Sequence, residues 1–177
     1  MRGGDKGIKE FIDNIEDKHT VTLKEIDRFY DALNNLRYEG KMFRQRNLKV
    51  VNGFIEFINN DFLPHLSNDE NSLFPFLENH MPALGPMLHF LKGEHREIKD
   101  RFKAFERTCK RLEEFLSGVE DQKRIERLRD KGIYLVCLMR QHIQSESESV
   151  YKKIRDLKKE EQNLLMDKSF SRQKRIK

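Results

Sequence analysis

Four long stretches of the chain place apolar residues at the three- and four-residue spacing that lines one face of an α-helix. The first runs through Ile8, Phe11, Ile12, Ile15, Ile26, Phe29, Tyr30 and Leu33. The second takes in Val51, Phe54, Ile55, Ile58, Phe62, Leu66, Leu73, Phe76 and Leu77. Leu88, Leu91, Ile98, Phe102, Phe105, Cys109, Leu112 and Leu116 make the third; Ile125, Leu128, Leu135, Met139 and Val150, continuing towards Ile154, make the fourth. A helix that is apolar along one stripe must bury that stripe against another element. Four such helices on short connectors predict an all-α fold, an up-down-up-down antiparallel four-helix bundle. The connectors are read at Tyr38-Glu39-Gly40, at the Pro- and Gly-containing segment Glu78 to Pro86, and at Ser117-Gly118. Thr22-Leu23-Lys24-Glu25 fits a capping box, which predicts a break in the first helix just after His19. Leu157, Leu164, Leu165, Met166 and Phe170 predict a short C-terminal helical extension, so the chain divides into a bundle, 1–157, and an extension with a basic tail, 158–177.

Composition narrows the class. At 177 residues the chain fits one domain with a sizeable core, and 37% of it is charged. The net charge of +5 is modest and the signs alternate along every helix, which suits solvated faces and speaks against a nucleic-acid groove. No apolar run approaches the ~18 residues of a membrane span, and Met1-Arg2-Gly3-Gly4-Asp5 lacks the apolar core of a signal peptide, so a soluble, cytoplasmic protein is expected. Cys109 and Cys137 sit on or beside apolar stripes, as buried small hydrophobes and not a disulfide framework.

Each stripe is interrupted by one histidine: His19, His65, His95 and His142. Two of them are followed four residues later by a carboxylate, Asp69 after His65 and Glu146 after His142. Residues four apart on a helix diverge by only about 40°, so imidazole and carboxylate leave the same face. A carboxylate on a buried face must be protonated, paired or metal-bound. A single histidine there is ordinarily a hydrogen-bonded core residue; one on each of four helices, with two carboxylates, is a ligand pattern. Mixed imidazole and carboxylate donors suit iron, zinc or manganese. Six donors are too many for a closed tetrahedral zinc site and a natural number for two metals sharing bridging carboxylates. Glu70 lies about 140° from His65 on an ideal helix, but Pro64 and Pro75 can distort the rod locally, so Asp69 and Glu70 both stand as candidates.

Other metal and catalytic patterns are missing. Ferritin-like di-iron bundles need Glu-x-x-His on two helices, and only Glu16-Asp17-Lys18-His19 fits. There is no His-Glu-x-x-His, no glycine-rich phosphate loop and no Gly-x-Ser-x-Gly elbow, and no catalytic residue is assigned. The competing reading is a metal-free helical interaction module or signalling adaptor, in which the six polar core residues satisfy one another. A weak anionic-surface binder would rely on Arg172, Lys174, Arg175 and Lys177.

From about His19 to Ile154 the residues resemble the hemerythrin-like, or HHE cation-binding, domain. His65-Leu66-Ser67-Asn68-Asp69-Glu70-Asn71-Ser72-Leu73-Phe74-Pro75 is similar to the family's first His-x-x-x-Glu repeat, Gly93-Glu94-His95-Arg96 to its intervening histidine, and His142-Ile143-Gln144-Ser145-Glu146 to its second repeat. The resemblance implies a non-haem di-iron centre with terminal histidines and bridging carboxylates. The ligands it implies are His19, His65, Asp69 or Glu70, His95, His142 and Glu146, with zinc or manganese as alternative metals. It also implies a small diatomic partner, oxygen or nitric oxide, bound or sensed, or a role in iron handling. Two departures bear on this. Asp69 stands where the family usually has Glu, and Lys99 stands four residues after His95 where oxygen carriers have a second histidine. His80, in the loop segment, and His89, on the polar face, are the remaining candidates for a fifth histidine.

Overall fold

The structure is a computed structural model that describes residues 4–36, 41–114 and 121–155, and among these there is no strand. α1 spans Gly4–Asn35. It passes His19 without the break expected at Thr22: the Thr22 hydroxyl donates to the Lys18 carbonyl at 2.8 Å, one turn back, and so stays inside the helix instead of capping a new one.

The second rod is built of α2 (Lys41–Phe57), α3 (Leu63–Asn68) and α4 (Phe74–His80), joined by π-helical turns at Ile58–Phe62 and Asp69–Leu73. Each π turn precedes a proline. Pro64 and Pro75 sit in the first turns of α3 and α4, where a missing N–H costs least. A proline ring clashes with the carbonyl four residues back, and a turn widened by one residue relieves that clash. The Leu63 N–H accordingly bonds to the Ile58 carbonyl and the Phe74 N–H to that of Asp69, both five residues back. The connection read as a loop from Glu78 to Pro86 is shorter than expected. Met81 alone leaves the helical region, with backbone angles of −135° and 67°, before a 3₁₀ turn at Pro82–Leu84. α5 (Gly85–Glu114) and α6 (Asp121–Glu146) follow, then a third π turn at Ser147–Tyr151 and α7 (Lys152–Arg155).

α5 packs along α6, and α1 along both α2 and α6, completing the expected four-helix bundle. Where α6 crosses α1 and α5, a glycine lets the helices approach closely. A Cβ on Gly132 would lie 2.4 Å from Leu33 Cδ1 and 3.1 Å from both Phe105 Cε2 and Phe29 Cζ. The core falls into two apolar clusters. One contains Ile26, Phe29, Leu33, Leu66, Ile98 and Met139; the other contains Ile15, Leu73, Leu91, Val150, Tyr151 and Ile154. On every rod the boundary between them is a polar residue: His19 lies between Ile15 and Ile26, Asp69 between Leu66 and Leu73, His95 between Leu91 and Ile98, and Glu146 between Met139 and Val150.

Cys109 is buried as expected, with Sγ 3.6 Å from Asn52 Oδ1, but Cys137 is exposed. It falls two residues after buried Leu135 and two before buried Met139, on the opposite side of α6. Leu116, the connectors at Tyr38–Gly40 and Ser117-Gly118, and the extension and basic tail of 158–177 lie outside the described residues. No described helix is long and apolar enough to cross a membrane.

Candidate metal centre

His19, Asp69, His95, His142 and Glu146 are buried polar residues in a layer of otherwise apolar packing, and the side chain of His65 is only 12% exposed. The rods deliver them to one place. The α1 imidazole of His19 and the α3 imidazole of His65 present their Nε2 atoms to each other at 3.3 Å, with the rings edge to face. Glu146, at the end of α6, sets Oε2 3.3 Å from His19 Nε2, 3.8 Å from His65 Nε2 and 3.7 Å from His142 Nε2. Asp69 Oδ2 lies 3.4 Å from His65 Nε2, one turn along the same rod. Ligand atoms of His19, His65 and Glu146 all fall within 4.8 Å of one another, a spacing that one cation can span.

A second imidazole pair also adjoins Glu146, through His142 Nε2 at 3.7 Å from Oε2. His95 on α5 and His142 on α6 pack edge to face with ring centroids 4.6 Å apart, and Phe74 stacks on His95. Their outer nitrogens are engaged. Glu70 Oε1 accepts from His95 Nδ1 at 2.9 Å while also receiving Lys99 Nζ at 2.8 Å. Glu94 Oε2 accepts from His142 Nδ1 at 3.2 Å. A carboxylate on Nδ1 fixes the tautomer and leaves Nε2 as the lone-pair donor, the orientation a metal ligand needs. On the other pair, the Ser147 hydroxyl stands 3.4 Å from His19 Nδ1.

The inward-facing atoms are left over. Asp69 Oδ2, His95 Nε2, His142 Nε2 and both carboxylate oxygens of Glu146 are buried without a hydrogen-bond partner. Orphaned polar atoms are costly in a core, and so many converging on one point fit a bound cation. The electrostatics agree. Burial alone would raise the Glu146 carboxyl, but the neighbouring imidazoles, His19 and His65 foremost, hold it well below the usual carboxylate range. Asp69 is pushed well above that range, by burial first and then by the charge of Glu146. His95 is lowered to about 4 by burial and by His142 beside it. Two close carboxylates and clustered imidazoles that suppress one another's charge are relieved together by a cation.

Asp69 and Glu70, the alternatives open in the sequence, occupy different places. Asp69 enters the cluster, whereas Glu70 stands behind His95, on its outer nitrogen. His80 is elsewhere: its Nδ1 lies 2.8 Å from the Phe76 carbonyl and its ring stacks on Phe76. His89 is exposed, in an open groove with Glu70, Lys92 and Arg96. Two neighbours of the cluster escaped the sequence reading. Glu94, one residue before His95, faces α6 and not its own helix neighbour. Tyr151 is turned inward by the π turn, its ring 5.5 Å from that of His19. A cleft of about 550 Å³ between α1 and the second rod, lined in part by Asp17, Lys18, Thr22, Asp61 and Phe62, reaches His65 from solvent.

A family model, the hemerythrin HHE cation binding domain, matches residues 10–154. No curated protein and no solved structure matches the chain at a significant level. The match covers most of the chain and every residue of the cluster, and the chain belongs to the hemerythrin HHE cation-binding domain family.

Proposed function

We propose that the protein holds a non-haem di-iron centre and uses it to bind a small diatomic ligand, oxygen or nitric oxide. One observation carries the reading: Glu146 lies between two imidazole pairs, and the inward atoms Asp69 Oδ2, His95 Nε2, His142 Nε2 and both Glu146 oxygens have no protein partner. In this reading His19 and His65 serve one metal, His95 and His142 the other, and Glu146 and Asp69 link the two. Glu70 and Glu94 hold His95 and His142 from behind. Zinc or manganese would satisfy the same donors, and iron is favoured by the family to which the chain belongs.

Four imidazoles and two carboxylates would hold the metals, and with so few protein donors a small exogenous ligand would have room to bind. The metals supply the electrons or the Lewis acidity for that ligand. The chain holds His95 and His142 by their Nδ1 atoms so that Nε2 faces inward, keeps bulk water out of the polar layer, and leaves the His65 edge on the cleft as the approach. Anaerobically reconstituted ferrous protein tests this. Nitric oxide or oxygen should produce a saturable new visible absorption that is lost in His142→Ala. A loaded protein whose spectrum is indifferent to both gases would refute the ligand-binding role.

A further inference from the structure

Tyr151 is buried to the last atom, and its hydroxyl, turned towards the Glu146 carboxylate, has no partner in good hydrogen-bond geometry. That is costly for a phenol, because an O–H in a core ordinarily finds an acceptor. Its position is not incidental. On a regular helix Tyr151 would lie about 140° from Glu146, pointing away from the centre. The π turn Ser147–Tyr151 adds a residue to that turn and brings position 151 round to the side of Glu146. No proline accounts for this turn, unlike the two in the second rod. The chain therefore departs from regular helix and places an unpartnered donor beside His19, facing the carboxylates of Glu146 and Asp69. Among the described residues it is the one buried hydroxyl without a partner.

We propose that Tyr151 is the hydrogen-bond donor for the exogenous ligand of the centre, its O–H directed to the electron-rich atom of a small anion or metal-polarised diatomic molecule. This rests on the reading of the cluster as a metal centre. An anionic or metal-polarised ligand would carry negative charge, and the acceptors already present, the Glu146 and Asp69 oxygens, would be engaged in holding the metal. The phenol is then left with the incoming ligand as its acceptor.

The test is azide titration of oxidised, iron-loaded protein against Tyr151→Phe, which removes one oxygen and keeps the ring against His19. Iron content should be equal in the two proteins, and azide should bind about ten- to a hundredfold more weakly to the variant, as expected for a lost hydrogen bond to a charged acceptor. As a second readout, metal-free Tyr151→Phe should melt no lower than metal-free wild type, since the deleted hydroxyl has no partner. Equal azide affinities would overturn the proposal. So would a variant that loads less iron, or a wild-type phenolate-to-iron band missing from the variant, because either makes Tyr151 a metal ligand or a prop for Glu146. If wild type itself takes up no metal, the reading of the centre fails, and this inference with it.

Discussion

Three imidazole nitrogens stand within 3.8 Å of one Glu146 oxygen, and neither oxygen of that carboxylate is hydrogen-bonded. Asp69 shares that condition and Glu70 does not, so the two adjacent carboxylates should respond differently to removal. Asp69→Ala should reduce metal occupancy markedly at saturating metal. Glu70→Ala should still load, with affinity lowered about 10- to 100-fold, the usual effect of losing a carboxylate behind a ligating histidine. Metal content of the two variants, titrated side by side, decides the matter; a Glu70 variant that cannot be loaded at any metal concentration would make Glu70 a ligand. The histidines offer a second test, in metal-stripped protein. With His95 lowered to about 4, the unfolded chain holds a proton between that pH and 6.5 that the folded chain refuses, so stability rises with pH across this window. Asp69, whose folded value is raised, contributes with the opposite sign from its ordinary 3.8 upward. His95→Gln removes the imidazole that carries the first contribution. The denaturation midpoint of wild type relative to His95→Gln should therefore climb from pH 4 to pH 6.5, and a flat difference would contradict the assignment.

At the scale of helices, the crossing of α6 over α1 depends on a missing side chain. Gly132→Ala gains helix propensity of up to ~1 kcal/mol and incurs an overpacking cost of about 1–3 kcal/mol against Leu33, Phe29 and Phe105. A net loss of about 1 kcal/mol should appear as a lower melting temperature, and an unchanged or higher one would mean that Leu33 yields freely. The four rods themselves were legible in the sequence, because burial of one face imposes a period that survives in residues such as Phe54, Ile58 and Phe62, or Leu91, His95 and Ile98. The four histidines were legible for the same reason: each is a polar residue in phase with an apolar stripe. The π turns were not. An inserted residue shifts the phase by a fraction of a turn, within the tolerance of an apolar stripe, and only the prolines hinted at two of the three. Tyr151 was missed as part of the centre because its face depends on the third. Thr22 was misread because its hydroxyl bonds as well to the preceding turn as to a new helix start.

For the whole molecule, the polar layer divides the hydrophobic core in two and takes buried polar residues from all four rods. A cation there ties the rods together and is bound only by the folded chain, so it stabilises by mass action. Melting temperature should rise on metal addition in wild type and in His89→Ala, whose imidazole is exposed, and should rise far less in His142→Ala. A His89 variant that behaves like the His142 variant would mean that the exposed face of α5 takes part in ligation. The central claim, two metals bridged within one bundle, is tested most directly by counting them: anaerobic titration with ferrous iron, followed by desalting and elemental analysis per chain. Saturation is expected at about two irons per chain; saturation at one, or no retained iron, would contradict a bridged pair.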